Sequence, residues 1–293
     1  MTTTSRMEAN GLSFVVDEAG AGDAVALCLH GFPESRFSWR WQLPLLARLG
    51  WRAIAPDLRG YGHSSRPPNR DDYRIEHLVE DAAGLFEAAG AKRRLLVAHD
   101  WGAMAAWVFA MQRRLPLDGL VIMNVPHPAV FERVWRTTWK QKLNSWYVAF
   151  FQIPGLPEAI LRARDAQAIA DAFVGSAVDK SRFPKAVTDV YRENALIPGA
   201  LTAMLNYYRA NGDLLGHYRG GAPMIETPTL IIWGEDDPAI SIEATKGYEP
   251  YVRDLTLHRL PGVSHWVQQE APEKTNEHLE AWLRARGLAP AAV

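Results

Sequence analysis

Hydrophobic and polar positions change period along the chain, and the changes predict alternating strands and helices. Leu12-Ser-Phe-Val-Val-Asp-Glu alternates after an Asn10-Gly11 pair, the signature of an opening hairpin. Residues 24–29 and 51–56 are short apolar runs, read as buried strands. Residues 75–89 carry a helical period that stops at Gly90, followed by a strand at 93–99 and a helix at 102–113. Further strands fall at 120–124, 230–233 and 255–260, and a last helix at 272–286 has Pro in its first turn. This alternation predicts an α/β fold with a mainly parallel sheet and crossover helices. Between 124 and 228 the rhythm fails, leaving helical patterns, several prolines and no clear core strand. The division expected is a core domain of 1–124 and 223–293, with an α-helical lid of 125–222 inserted between two sheet strands. The closing Ala-Pro-Ala-Ala-Val reads as a frayed tail.

The junction at 98–102, Ala-His-Asp-Trp-Gly, changes this picture most. An apolar β-prone run, Leu95-Leu96-Val97, precedes it, and helical spacing (Met104, Trp107, Val108, Met111) follows. Ala98 and Gly102 flank Asp100 at two positions on either side. That is the grammar of a nucleophile elbow, a tight strand-to-helix turn presenting its middle side chain above the sheet. Most such elbows hold Ser, which must lose a proton before attack. A carboxylate with an ordinary pKa of about 3.9 is already ionised at neutral pH. It is poorly suited to acyl transfer, where attack would give an anhydride. Displacement at an sp3 carbon bearing a leaving group suits it, giving an alkyl ester that water must then cleave. The residue type therefore points to an epoxide or a haloalkane, and away from esters, amides and lipids.

Composition removes other classes. The chain has 293 residues, 48% hydrophobic and 22% charged, with formal net charge −1. No basic patch suggests nucleic acid. The nine His form no metal-ligand cluster, and one cysteine, Cys28, precludes a disulfide framework. The start has no apolar segment of signal length and no run is long enough to span a membrane, so a soluble cytoplasmic protein without a membrane anchor is expected. Trp135, Trp139, Trp146, Tyr147, Phe150 and Phe151 crowd one region, read for most of them as an aromatic helical core and otherwise as an apolar pocket wall.

Three signals fall where Asp100 needs partners. Gly262-Val-Ser-His265-Trp266 follows the last strand, where a general base belongs. Trp233-Gly-Glu-Asp-Asp237-Pro238 follows the strand before it, with Glu235, Asp236 and Asp237 competing to be the acid that orients the base. The chain order nucleophile, acid, histidine is that of hydrolases with an α/β elbow. His30-Gly31-Phe32-Pro33-Glu34-Ser35 follows the strand at 24–29, where the Phe32 amide would pair with the Trp101 amide as an oxyanion hole.

Together these residues resemble the epoxide hydrolases of the α/β-hydrolase fold over nearly the whole chain. The shared marks are His30-Gly-Phe-Pro-Glu-Ser35, Ala55-Pro-Asp-Leu-Arg-Gly-Tyr-Gly62, His99-Asp-Trp-Gly102, Asn124-Val-Pro-His-Pro128, Phe151-Gln-Ile-Pro154, Trp233-Gly-Glu-Asp-Asp237 and Ser264-His-Trp266. Ala98 departs from a pattern that often has Gly there. The resemblance implies Asp100 as nucleophile, His265 as base and Asp237 as acid. It places the tyrosines that donate to the epoxide oxygen at Tyr147 and Tyr208; by sequence alone Tyr191 and Tyr207 are rivals. Tyr207 and Tyr208 point about 100° apart on a helix, so only one faces Asp100. His30, Pro33, Phe151 and Trp266 are expected around the pocket, and Glu34 either positions water or simply begins a helix. No metal or organic cofactor is implied; the partner is a small epoxide, and the protein a monomer or homodimer. The nearest rival is a haloalkane dehalogenase, which needs two N–H donors to halide; Trp101 supplies one, but Phe32 stands where the second is often Asn. A fluoroacetate dehalogenase fits less well, because Trp101 stands where that group usually has Arg. A catalytically inactive binding protein on the same fold would have no need of an intact Asp100, Asp237 and His265.

Overall fold

The computed structural model describes residues 1–289; the tail from residue 290 on lies outside the described residues. The chain opens with β1 (Thr3–Ala9) and β2 (Leu12–Ala19), an antiparallel hairpin turning at Asn10 and Gly11, both with positive φ. There follow β3 (Ala24–Leu29), α1 (Gln42–Arg48), β4 (Arg52–Pro56), α2 (Ile75–Ala88), β5 (Arg93–His99), α3 (Asp100–Gln112) and β6 (Gly119–Met123). Six helices come next: α4 (Pro128–Thr137), α5 (Trp139–Asn144), α6 (Trp146–Phe150), α7 (Leu156–Ser176), α8 (Lys185–Leu196) and α9 (Ala200–Ala210). The chain then returns through β7 (Thr229–Gly234), β8 (Leu255–Leu260), α10 (Val267–Glu270) and α11 (Pro272–Ala285).

The eight strands form one sheet in the order β1-β2-β4-β3-β5-β6-β7-β8. Pairing is parallel from β4 to β8 and antiparallel at β1–β2 and β2–β4. The central strands are apolar throughout because both faces are covered. β5 sends Leu96 and Ala98 into one core with α2 and α3, and Leu95 and Val97 into the other with α1 and α11. Phe32, Asp100, Asp237 and His265 follow the carboxyl ends of β3, β5, β7 and β8, so parallel pairing delivers residues far apart in sequence to one edge of the sheet.

Two expectations need correction. Helix α3 begins at Asp100 rather than two residues later, because the elbow passes from strand to helix without a loop. The aromatic region is not mostly core. Phe151 is buried and Trp135, Tyr147 and Phe150 are half-buried, but Trp139 is 71% exposed and Trp146 66%. The cause is local. In α5 the side chain turned inward is Gln141, fully buried, which donates to the Ala239 carbonyl and the Ser145 hydroxyl and accepts from the Ser241 amide. With Gln141 inward, Trp139 and Leu143 face out. Helix α7 breaks at Ala163 to Ala166, where Arg164, Asp165 and Ala166 take φ of 50°, 53° and 56°.

Candidate active site

The elbow is tight enough to dictate its neighbours. Asp100 has φ of 49°. A Cβ on Gly102 would come 2.4 Å from the Leu29 carbonyl oxygen, and one on Gly31 would come 2.2 Å from Asp100 Cβ. Both positions therefore exclude any side chain.

The two Asp100 oxygens have different surroundings. Oδ1 accepts the Phe32 amide at 2.6 Å. Oδ2 lies 3.5 Å from His265 Nε2. The other ring nitrogen of His265, Nδ1, meets Asp237 Oδ2 at 2.6 Å. Asp237 Oδ1 accepts the amides of Ala239 (2.7 Å) and Ile240 (3.0 Å), while Asp237 Oδ2 also receives the Asn124 side-chain amide at 2.9 Å. Glu235 is exposed and Asp236, also exposed, accepts the Gly262 amide at 2.8 Å, which leaves Asp237 as the carboxylate on His265.

Electrostatics follow from this packing. Burial alone would raise the Asp100 carboxyl, but His265, His99 and the Phe32 amide hold it below its ordinary value. Burial likewise opposes charge on His265, yet Asp237 and Asp100 on either side push its pKa up to about 10. The site holds an ionised carboxylate against an imidazolium.

Facing Asp100 is an aromatic wall. The Tyr208 ring packs edge-on against Trp101 (5.1 Å between centroids), Phe32 (5.4 Å) and Phe151 (5.0 Å), and the Tyr147 ring lies 6.0 Å from it. Burial and the nearby Asp100 charge push both phenols above their ordinary value and keep them protonated. The rival phenols are engaged elsewhere: Tyr207 donates to the Arg59 carbonyl at 2.8 Å and Tyr191 to Gln269 Oε1. Tyr207 and Tyr208 thus diverge as adjacent helical residues must.

The remaining residues support these groups. His30 is committed to its own loop, Nδ1 against the Gly31 carbonyl and Nε2 accepting the Leu58 amide; burial lowers its pKa. Pro33 is buried after a cis Phe32–Pro33 peptide bond. Trp266 packs on Phe173 at 4.4 Å and on His265 at 5.0 Å, and donates its indole N–H to Ser176 of α7 at 2.7 Å.

Glu34 does not begin a helix; Ser35 caps the short 3-10 turn that follows. Glu34 is fully buried and accepts the Gly31 amide, His99 Nδ1 and the side-chain amides of Gln268 and Gln269. Burial opposes its charge, but His99, His30 and the Gly31 amide hold its carboxyl below the ordinary value. His99 Nε2 faces the His265 carbonyl at 2.9 Å. His99 thus bridges Glu34 and the His265 backbone. Motif reading gave no role to His99, Gln268, Gln269, Gly31 or Asn124. A histidine at the end of the buried run 95–98, and the Gln268-Gln269 pair shortly after His265-Trp266, were the available signals.

Comparison with known proteins identifies the family. The model of the alpha/beta hydrolase fold family matches residues 25–272. Epoxide hydrolase 3 of Xenopus tropicalis is 35% identical over 285 residues, covering 95% of this chain and 77% of that protein. The AB hydrolase superfamily protein YfhM of Bacillus subtilis is 37% identical over 279 residues, covering 94% and 96%. The crystal structure of a Bacillus megaterium epoxide hydrolase bound to an inhibitor superposes with a TM-score of 0.87 at 30% identity, covering 96% of this chain and all of that one. The chain belongs to the α/β hydrolase fold superfamily and, within it, to the epoxide hydrolases.

Proposed function

We propose that the protein converts an epoxide and water to a vicinal diol through an alkyl ester on Asp100. One observation carries the reading: the Phe32 amide holds Asp100 Oδ1 while Oδ2 is left toward the aromatic wall and His265. Oδ2 attacks a ring carbon and the C–O bond of the epoxide breaks. The departing oxygen is a strongly basic alkoxide, and Tyr147 and Tyr208 donate hydrogen bonds and a proton to it. Raised phenol pKa values keep both donors loaded at neutral pH.

Water then attacks the ester carbonyl carbon. Its oxygen is the atom already held by the Phe32 amide, and the Trp101 amide at the free first turn of α3 is the second donor. His265 takes the proton from that water. Alkylation removes the Asp100 charge, one of the two that keep His265 protonated in the resting enzyme, so the imidazolium can then give its proton back to the phenolate left by epoxide opening and become the base for the second step. Asp237 orients the imidazole. Glu34 acts as a positioning residue through His99 and the His265 carbonyl. The helices of residues 125–222 serve as the lid that brings the two tyrosines over Asp100, and residues 1–124 and 223–293 as the catalytic core.

The test is a panel of epoxides and haloalkanes assayed for diol and for halide. Diol formation without halide release is the expected result; halide release alone would move the reading to a dehalogenase.

A further inference from the structure

The stretch from α5 into α7 leaves six large apolar side chains exposed. Trp139, Leu143 and Trp146, then Ile153, Leu156 and Ile160, fall in two groups spaced three or four residues apart, each side chain between 43% and 71% exposed. A surface that leaves two Trp and four aliphatic side chains in water is unusual for a soluble domain. Its orientation is built in, because the buried Gln141 fixes α5 to the loop after Asp237 with its apolar side outward.

Charge identifies what covers it. Residues 133–165 hold six basic side chains, Arg133, Arg136, Lys140, Lys142, Arg162 and Arg164, in a chain whose overall net charge is −1. The acidic side chains of that stretch are Glu158, paired with Arg209, and Asp165. Among the described residues Lys140, Lys142, Arg162 and Arg164 have no ion-pair partner. A second copy docking through the same face would set these cations against each other. Trp and aliphatic side chains rimmed by unpaired Lys and Arg instead match the interface of an anionic lipid bilayer, which takes apolar side chains at headgroup depth and attracts basic ones.

We propose that this face docks the protein peripherally on anionic lipid surfaces. Tyr147 follows Trp146 directly on α6, so docking places the lid tyrosine next to the membrane, where apolar epoxides partition.

Sedimentation of the full chain with lipid vesicles tests this. Binding is expected to vesicles containing about one-third phosphatidylglycerol and to be lost on neutral phosphatidylcholine and in high salt. Lys140→Glu/Lys142→Glu should weaken binding roughly tenfold or more. Trp139→Ser/Trp146→Ser should weaken it comparably and abolish the blue shift of tryptophan emission on vesicles, with an unchanged thermal midpoint to show that both variants fold. Equal binding to neutral and anionic vesicles, or none to either, would overturn the proposal. So would a concentration-dependent dimer in ultracentrifugation that the Trp variant dissociates, since the face would then be a contact between copies.

Discussion

Asn124 donates its side-chain amide to Asp237 Oδ2 at 2.9 Å, and that oxygen also receives His265 Nδ1. The Asn124 side-chain oxygen accepts the Gly234 amide at 2.8 Å, so one residue at the end of β6 braces both Asp237 and the loop that bears it. Ala at 124 would leave the Gly234 amide unmatched and would have to hold φ of 49°, at about 1–2 kcal/mol for the backbone alone. Asn124→Ala should lower the thermal midpoint and slow ester hydrolysis about tenfold, leaving alkylation within a few-fold. Rapid-quench kinetics separate the steps; slowed alkylation with normal hydrolysis would refute this role.

Gly31 faces Asp100 so closely that a methyl group cannot be placed without moving the Asp100 side chain. A displacement near 1 Å at a reacting atom costs on the order of 100-fold in rate. Gly31→Ala should lose activity by at least that factor. Steady-state assays alongside circular dichroism check it; wild-type turnover would show that the loop yields without disturbing the elbow.

His265 links pH to both stability and rate. Its folded pKa of about 10 lies above its ordinary value of about 6.5. A raised value stabilises the fold fully below pH about 6.5, and that contribution fades as pH climbs towards 10. The difference in thermal midpoint between wild type and His265→Gln should therefore shrink from pH 7 to pH 10. A constant difference would mean that His265 is not an imidazolium in the free enzyme. In the alkylated enzyme one supporting charge is gone, so ester decay should reach its alkaline plateau with a midpoint below 10.

The fold was legible because its signals are local. Asn10-Gly11 forces a hairpin, buried parallel strands are apolar without alternation, and an elbow needs small residues around Asp100. That Asp100, an acidic residue of 235–237 and His265 each follow a strand, in that order, was readable for the same reason. What stayed hidden depends on contacts across long separations. Nothing near Glu235, Asp236 and Asp237 says which one turns inward; Asn124 and His265 decide it, 113 and 28 residues away. Glu34 read equally as a helix-start residue until His99, Gln268 and Gln269 closed around it. Trp139 and Trp146 misled because aromatic content argues for burial, whereas one polar residue, Gln141, sets which side of α5 faces in.

Asp100 as a covalent nucleophile makes an isotopic prediction. A single turnover in heavy-oxygen water should place the label in Asp100 and none in the first diol, because water attacks the ester carbonyl rather than the substrate carbon. His265→Gln should stall after alkylation, and mass spectrometry of its Asp100 peptide should show one added substrate mass. Label in the first-turnover diol would rule out the ester.

Tyr147 on α6 and Tyr208 on α9 face Asp100, and their phenols are kept protonated by burial and by the Asp100 charge. Each donor is comparable to one oxyanion-hole hydrogen bond, roughly 3 kcal/mol in the alkylation barrier. Tyr147→Phe or Tyr208→Phe should therefore slow epoxide opening by about 100-fold but leave it measurable, since one donor remains. The double variant should nearly abolish it while keeping its fold. Tyr208 also packs on Phe32 and Trp101, and Phe preserves that packing, so the loss reports the hydroxyl rather than the ring. Any haloalkane turnover should survive in the double variant, because halide leaves without a proton. Normal epoxide turnover by Tyr147→Phe/Tyr208→Phe would defeat the assignment and shift the acid role towards Tyr191 or Tyr207, whose hydroxyls would first have to leave Gln269 and Arg59.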